Sequence, residues 1–351
     1  MDERRYHCHG LWSIALCLLT LQSFPFTNAT AAEPEPAPVR GGIAFPSLES
    51  NVPMKTLGGR QFWGDVVFFH DWRIQKNVVF GQYRLLDGKD RRHASGTLAE
   101  CRAALERIKV ERKLPKMSGK AVVLVHGIVR SSKSLAAIGE RLKEEGYQVF
   151  GFDYPSTRVS IEEAAEFLHS ALASLDGFER IDLVVHSMGG LVVRAYLAEH
   201  EDERLHRMVM IAVPNLGAHM ADRMENGALR GPFRLILGEA GGQMVRGEMG
   251  LSGKLPTPEF EFGVIAGARG TDDGYNPLIP GDDDGTIAVE STKLPGAADF
   301  IMVKGLHSFL MNDVDVVDHA ARFLETGKFR DKGDAQPIPR EKPAEAATSD
   351  G

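Results

Sequence analysis

From residue 121 to residue 324 the chain alternates short, continuous apolar runs with segments of helical period. AVVLVH at 121–126 is such a run. A strand that is apolar on both faces must be covered on both faces, as parallel strands are inside a layered sheet. LAAIGERLKEEG follows as a helix ending at Gly146, and YQVFGFDYP reads as the next strand. Ser160 and Glu163 form a capping box, behind which Ile161, Ala164, Ala165, Leu168, Leu172 and Leu175 share one helical face. RIDLVVHS is the following strand, and 188–200 the following helix. RMVMIAVP, EFGVIAG and ADFIMVKG continue as strands, and Val314, Val317, Ala321 and Leu324 mark a closing amphipathic helix. The pattern predicts an α/β fold, a mostly parallel sheet with helices on both faces. Ligands in such sheets sit beyond the carboxyl ends of the strands.

Upstream, DVVFFHDWRIQ and NVVFGQYRLL read as two strands that open the sheet in antiparallel fashion. Thr97 and Glu100 form a first capping box, with a helix running to about Lys113. Residues 1–31 have the order of an export signal. Arg4 and Arg5 precede the apolar LWSIALCLLTLQSFPF, and Ala29-Thr30-Ala31 offers a cleavage site. The apolar core is short for a membrane span, so an uncleaved anchor is the lesser alternative. The expected destination is the periplasm or the medium. His7-Cys8-His9 belongs to this removable segment and gives no metal site. Residues 32–59 form a proline-rich linker, and 328–351, rich in charge, proline and alanine, read as a disordered tail.

Cleavage would leave Cys101 as the only cysteine, so about 320 residues must be held by their core without an internal disulfide. Cys101 itself lies in a helical pattern and reads as buried. The formal net charge of -7 is broken by no Lys/Arg-rich run, which argues against nucleic acid as a partner.

The chemistry centres on DLVVHSMGGLVVRAYL at 182–197, where Ser187 falls on the corner between a buried strand and a buried helix. A serine hydroxyl does not ionise near neutral pH. It attacks only with a base to take its proton, a group to orient that base, and donors for the oxyanion. A sharp corner needs small neighbours, which Gly189 and Gly190 supply on the helix side. Val185 stands where the G-x-S-x-G pattern has glycine. In VLVHGIVRSS, 123–132, a strand ends at His126-Gly127 and a loop leads to the next helix. One N–H from that loop and one from the residue after the serine make an oxyanion hole, which assigns the amides of Ile128 and Met188. The plainer reading of each segment is a strand-to-helix turn. His126 and His186 read as structural.

HGI, FDYPS, HSMGG and VPNLGA, followed in order by FGVIAG, PGDDDGTIAVEST and LHSFLM, resemble the lipase and esterase branch of the α/β-hydrolase family over residues 60–327. The resemblance implies a Ser-Asp-His triad in that chain order, with ester bonds as substrates and no cofactor or metal. Asp284, ahead of Gly285, looks like the acid of that triad, with Asp283 and Asp282 as alternatives. The acidic loop around them matches no Ca²⁺-binding consensus. His307 in LHSFLM holds the place of the base. His219 and His319 read as surface residues.

Residues 215–258, after the sixth strand of this reading, are too long for a simple crossover. GPFRLILGEAGGQMV inside them fits a movable lid over an acyl pocket or a fixed cap, and a lid would imply transient contact with a lipid interface. The expected function is an exported serine hydrolase of carboxylic esters. Thioesterase, lipid deacylase and acyltransferase activities use the same constellation, and a non-catalytic binding protein is the reading from a different class. Acyl length, alcohol group and oligomeric state are left open by the sequence.

Overall fold

A computed structural model describes residues 54–55, 60–227, 230–247 and 250–340. The export signal at 1–31 and nearly all of the linker at 32–59 lie outside the described residues, as does the end of the tail from 341.

The first strands form a sheet of their own instead of opening the main one. β1 (Met54–Lys55), β2 (Trp63–Phe69), β3 (Trp72–Asn77), β4 (Tyr83–Leu86) and β5 (Arg91–Gly96) pair antiparallel in the order β1-β5-β4-β3-β2. The run DVVFFHDWRIQ is a hairpin, not one strand. His70 takes a φ of 48°, and Phe69 pairs with Trp72 across the two-residue turn. In NVVF, Asn77 Oδ1 accepts the N–H groups of Val79 and Phe80, so those apolar residues sit in an exposed turn. The sheet packs Val66, Trp72, Ile74 and Leu85 against Cys101, Ala104 and Leu105 of α1 (Leu98–Glu111), which Thr97 and Glu100 cap. Burial pushes the Cys101 thiol up to about 11, which leaves it protonated and inert.

The main sheet comprises β6 (Lys120–Val125), β7 (Tyr147–Phe152), β8 (Ile181–His186), β9 (Leu205–Ile211), β10 (Glu261–Ala268) and β11 (Asp299–Lys304). All neighbours are parallel, in the order β11-β10-β9-β8-β6-β7. Strand alternation sorts the apolar runs onto two faces. Val123, Val125, Leu183 and Val185 join the core that includes α3 (Ile161–Ala173) and α4 (Met188–Glu199). Val122, Leu124, Val184 and Val209 join the opposite core with α2 (Ala136–Glu144) and α8 (Val314–Thr326). Each such side chain removed from water contributes about 1.5–3 kcal/mol. The chain leaves β6 toward β7 and returns to β8 on the other side of β6, which opens a crevice at the carboxyl ends of β6 and β8.

The insert follows β9, the ninth strand in chain order because the first part of the chain supplies five strands where the sequence suggested two. It carries α5 (His219–Glu225) and α6 (Arg230–Gln243), and α7 (Val289–Thr292) lies farther on between β10 and β11. Ala240, Met244, Val245 and Leu255 enter the main core, while Leu235 and Ile236 face solvent. Among the described residues no helix is long and apolar enough to cross a membrane.

The tail is ordered through Arg340, contrary to the expectation of disorder from 328. Phe329 is fully buried, and the Asp299 carboxylate accepts the N–H groups of Phe329 and Gln336 and pairs with Arg330. The Ile338 N–H donates to Ala297 O, and Arg340 reaches Pro258 O. Two apolar anchors and one buried carboxylate fix a stretch whose composition shows no period.

Candidate active site

β8 runs into α4 with one residue between them, and that residue is Ser187. Its φ of 54° and ψ of -130° are strained for a side chain with a Cβ. The Ser187 N–H is held by Ile211 O at 2.9 Å. A Cβ on Gly189 would lie 2.5 Å from Val125 O, so the helix can pass this close only with glycine there. Val185 is accommodated because its side chain is fully buried in the core and takes no part in the corner. On the strand side the small residue comes from Gly127 instead, where a Cβ would stand 3.0 Å from Ser187 Cβ.

The acid and base arrive on two loops at the same end of the sheet. Asp284 follows β10, is 1% exposed, and takes the N–H groups of Thr286 (2.9 Å) and Ile287 (2.7 Å) on Oδ1. Its Oδ2 lies 2.7 Å from His307 Nδ1. His307, between β11 and α8, places Nε2 3.0 Å from Ser187 Oγ. An ionised carboxylate only accepts, so Nδ1 carries the proton and Nε2 is free to take one from the serine. The two alternative acids are occupied elsewhere. Asp282 caps the N–H groups of Arg269 and Gly270, and Asp283 that of Asn276. Burial raises the Asp283 carboxyl above its ordinary range, opposed by the backbone N–H groups of Gly285, Asn276 and Tyr275. Among the described residues no group of three or more His, Cys, Asp or Glu is arranged to hold a metal ion.

Met188 opens α4, where a backbone N–H has no partner within the helix, and Ile128 follows Gly127 in the neighbouring loop. Neither N–H donates to a protein acceptor among the described residues. His126 is fully buried, with Nδ1 2.7 Å from Gly127 O. Burial lowers its pKa.

His186, structural by the sequence reading, is buried against the loop that carries His307. Its Nε2 donates to the backbone carbonyl of His307 at 3.2 Å, and the two rings lie 4.8 Å apart. Burial first, then the nearby His307 and Arg130 charges, drives its pKa well below 6.5. Arg194 also emerged only with the fold. Buried in α4, it donates to Asn215 O, Leu255 O and Pro256 O, at the two ends of the insert. A charged residue inside the apolar run LVVRAYL was the one sign of it in the sequence. His219 and His319 lie away from this constellation, against Arg246 and Phe329 O respectively.

A family described as a domain of unknown function (DUF7379) matches residues 95–233. No protein of curated function matches the sequence. Among solved structures, a Bacillus licheniformis lipase in its mature form is 21% identical with a TM-score of 0.45, over 54% of this chain and 86% of that one. The same lipase in its propeptide form is 20% identical with a TM-score of 0.49, over 64% and 52%. An esterase from Thermogutta terrifontis is 16% identical with a TM-score of 0.43, over 59% and 90%. The parallel strand order, the serine on the corner after β8, and acid and base loops following β10 and β11 are the arrangement of the α/β-hydrolase fold, and that is the fold of this chain.

Proposed function

We propose that the protein is a serine hydrolase of carboxylic esters, of lipase or carboxylesterase type. The observation that carries this reading is the unbroken hydrogen-bonded chain from Ser187 Oγ through His307 to Asp284, at 3.0 and 2.7 Å. Ser187 Oγ attacks the ester carbonyl as His307 Nε2 takes its proton, and the Asp284 carboxylate stabilises the resulting imidazolium. The Ile128 and Met188 amides receive the oxyanion. Collapse breaks the carbonyl–alkoxy bond, and His307 returns the proton to the departing alcohol. Water then adds to the acyl-enzyme by the same base, releasing the acid and restoring the serine. No step requires a metal or cofactor.

Export belongs to the same reading and rests on the order of residues 1–31, with an ester or lipid substrate met outside the cytoplasm. The test is hydrolysis of a p-nitrophenyl ester series from acetate to palmitate by protein lacking residues 1–31, beside Ser187→Ala. Turnover that disappears in the variant supports the reading, and the chain-length optimum separates esterase from lipase. No turnover by folded protein on any member of the series rejects it.

A further inference from the structure

Beside the serine lies a second cleft, of about 330 Å³, between the loop after β6 and the end of β7. Its lining mixes apolar surface with the polar groups of Gln61, Arg130, Ser131, Ser134 and Ser156. Three observations point to a ligand there. Arg130 is exposed, and no carboxylate pairs with it among the described residues. Val129, a β-branched residue, is held at a φ of 58°, and Ser156 Oγ accepts its N–H at 3.1 Å. Positive φ is costly for valine and persists only where the surroundings impose it. Ser131 precedes the turn into α2 without capping it, so its hydroxyl is uncommitted there, and Ser156 Oγ keeps its own proton to donate.

The cleft also contains Asp153, whose two carboxylate oxygens are both engaged. Its Oδ2 is 3.2 Å from Arg73 Nη1, its Oδ1 accepts the Ser132 N–H at 2.7 Å, and His126 Nε2 lies 3.8 Å away. Arg130 is the charged group of the lining that has no carboxylate partner among the described residues. Gly127, where an added Cβ would stand 3.0 Å from Ser187 Cβ, lies between His126 and Val129, which both line the cleft. The cleft therefore adjoins the corner that carries the serine. Burying an acyl chain here would strip water from the Arg130 guanidinium and the serine hydroxyls without replacing it, so the cleft suits the alcohol half of the ester.

We propose that Arg130, with the hydroxyls of Ser131 and Ser156, forms a subsite for a phosphate carried on the alcohol of the ester, which makes phosphate-bearing glycerol esters the preferred substrates. This rests on the reading of Ser187 as the nucleophile. The planar, always charged guanidinium matches phosphate oxygens in pairs, and flanking hydroxyls complete the acceptor sites.

The test has two arms. In the first, 1,2-dihexanoylglycerol 3-phosphate and uncharged 1,2-dihexanoylglycerol are compared by kcat/KM in the wild type, Arg130→Gln and Arg130→Lys. The phosphate ester is expected to be preferred tenfold or more. Arg130→Gln abolishes the preference and Arg130→Lys retains part of it. In the second arm, calorimetry follows binding of glycerol 3-phosphate and of glycerol to the unreacted proteins. Only the phosphate should bind, and only while residue 130 is a cation. Equal preferences in wild type and Arg130→Gln overturn the subsite, even if phosphate binds, and leave the hydrolase reading standing. Should neither ester be hydrolysed, the calorimetric arm decides alone: loss of phosphate binding in Arg130→Gln supports the subsite while the hydrolase reading fails, and binding that is absent or indifferent to residue 130 overturns it.

Discussion

Asp284 holds His307 at two points: its backbone carbonyl accepts the His307 N–H at 2.8 Å, and its carboxylate meets Nδ1 at 2.7 Å. One residue therefore fixes both the position of the loop and the direction of the ring. Asp284→Asn separates the two effects. The backbone bond survives, but the single amide oxygen stays with the Thr286 and Ile287 N–H groups and turns an NH₂ toward the imidazole. Nδ1 must then accept, so the proton moves to Nε2 and faces the serine it should deprotonate. We expect kcat to fall by about 10⁴-fold with KM and thermal midpoint little changed. Steady-state kinetics beside a melting curve checks this, and a rate within tenfold of wild type would detach Asp284 from the mechanism.

His186 acts on the same loop from the other side, through its bond to the His307 carbonyl. His186→Leu leaves that carbonyl without its donor and loosens the base, at about 1–2 kcal/mol, or roughly five- to thirtyfold in kcat. Gln places an amide N–H near the position of Nε2, so His186→Gln should recover most of the loss. Equal rates in both variants would reduce His186 to packing.

The pH dependence of stability follows from the same ring. Burial holds the pKa of His186 well below 6.5, with His307, Arg130 and His126 adding like charge around it. The unfolded chain accepts this proton near pH 6.5, and the folded protein does not. The contribution of His186 is therefore complete above about pH 6.5 and is lost as pH falls below it. His126 acts in the same direction. Asp65 opposes them, because burial raises its carboxyl to about 7 and its contribution declines as pH rises toward that value. The difference between proteins isolates one group. From pH 7.5 to 5, the unfolding free energy in urea should fall more steeply in the wild type than in His186→Gln. Parallel curves would mean that the ring is charged when folded.

Arg194 is 2% exposed, with its pKa lowered to about 10 by burial, and its guanidinium is answered by backbone carbonyls and the Asn215 side chain. A fork of donors reaching Asn215 on one side and Leu255 and Pro256 on the other cannot be copied by an ammonium. Arg194→Lys should lower stability by roughly 2–3 kcal/mol, read from urea denaturation, and leave buried carbonyls unsatisfied. A loss under 0.5 kcal/mol would show that the two ends of the insert hold without it.

The parts of this fold legible in sequence are those set by local periodicity. AVVLVH and LVVHS were readable as strands because both faces are apolar, and the structure divides their residues between two cores. The strand-to-helix corner pointed to Ser187, and the resemblance pointed to Asp284, among its neighbours, and to His307; the structure brings these three side chains together. What stayed hidden depends on contacts between distant segments. His186 meets a carbonyl 121 residues away, and nothing in its neighbours announces this. The small residue missing at Val185 is supplied by Gly127, from the loop after β6. The hairpin at His70 was missed because apolar residues run on both sides of a turn that only its φ reveals.

The insert is where lipase-like behaviour would be decided, and its anchoring argues for a fixed cap. Both ends are clamped by Arg194, and Met244 and Val245 are buried in the main core. Gln243 accepts the Ile161 N–H and donates to Glu162, which ties the end of α6 to the start of α3. Gly238, with a φ of 67°, passes so close to Thr157 that a Cβ would lie 2.4 Å from its carbonyl oxygen. Swinging the whole segment would break these contacts together and expose buried apolar surface. The first part of α6, by contrast, presents Leu235 and Ile236 to solvent. Ester hydrolysis should therefore rise smoothly with substrate concentration through the micellar threshold, with no step at the interface. A several-fold jump at that threshold would mean that the clamp at Arg194 opens and that the segment moves as a lid.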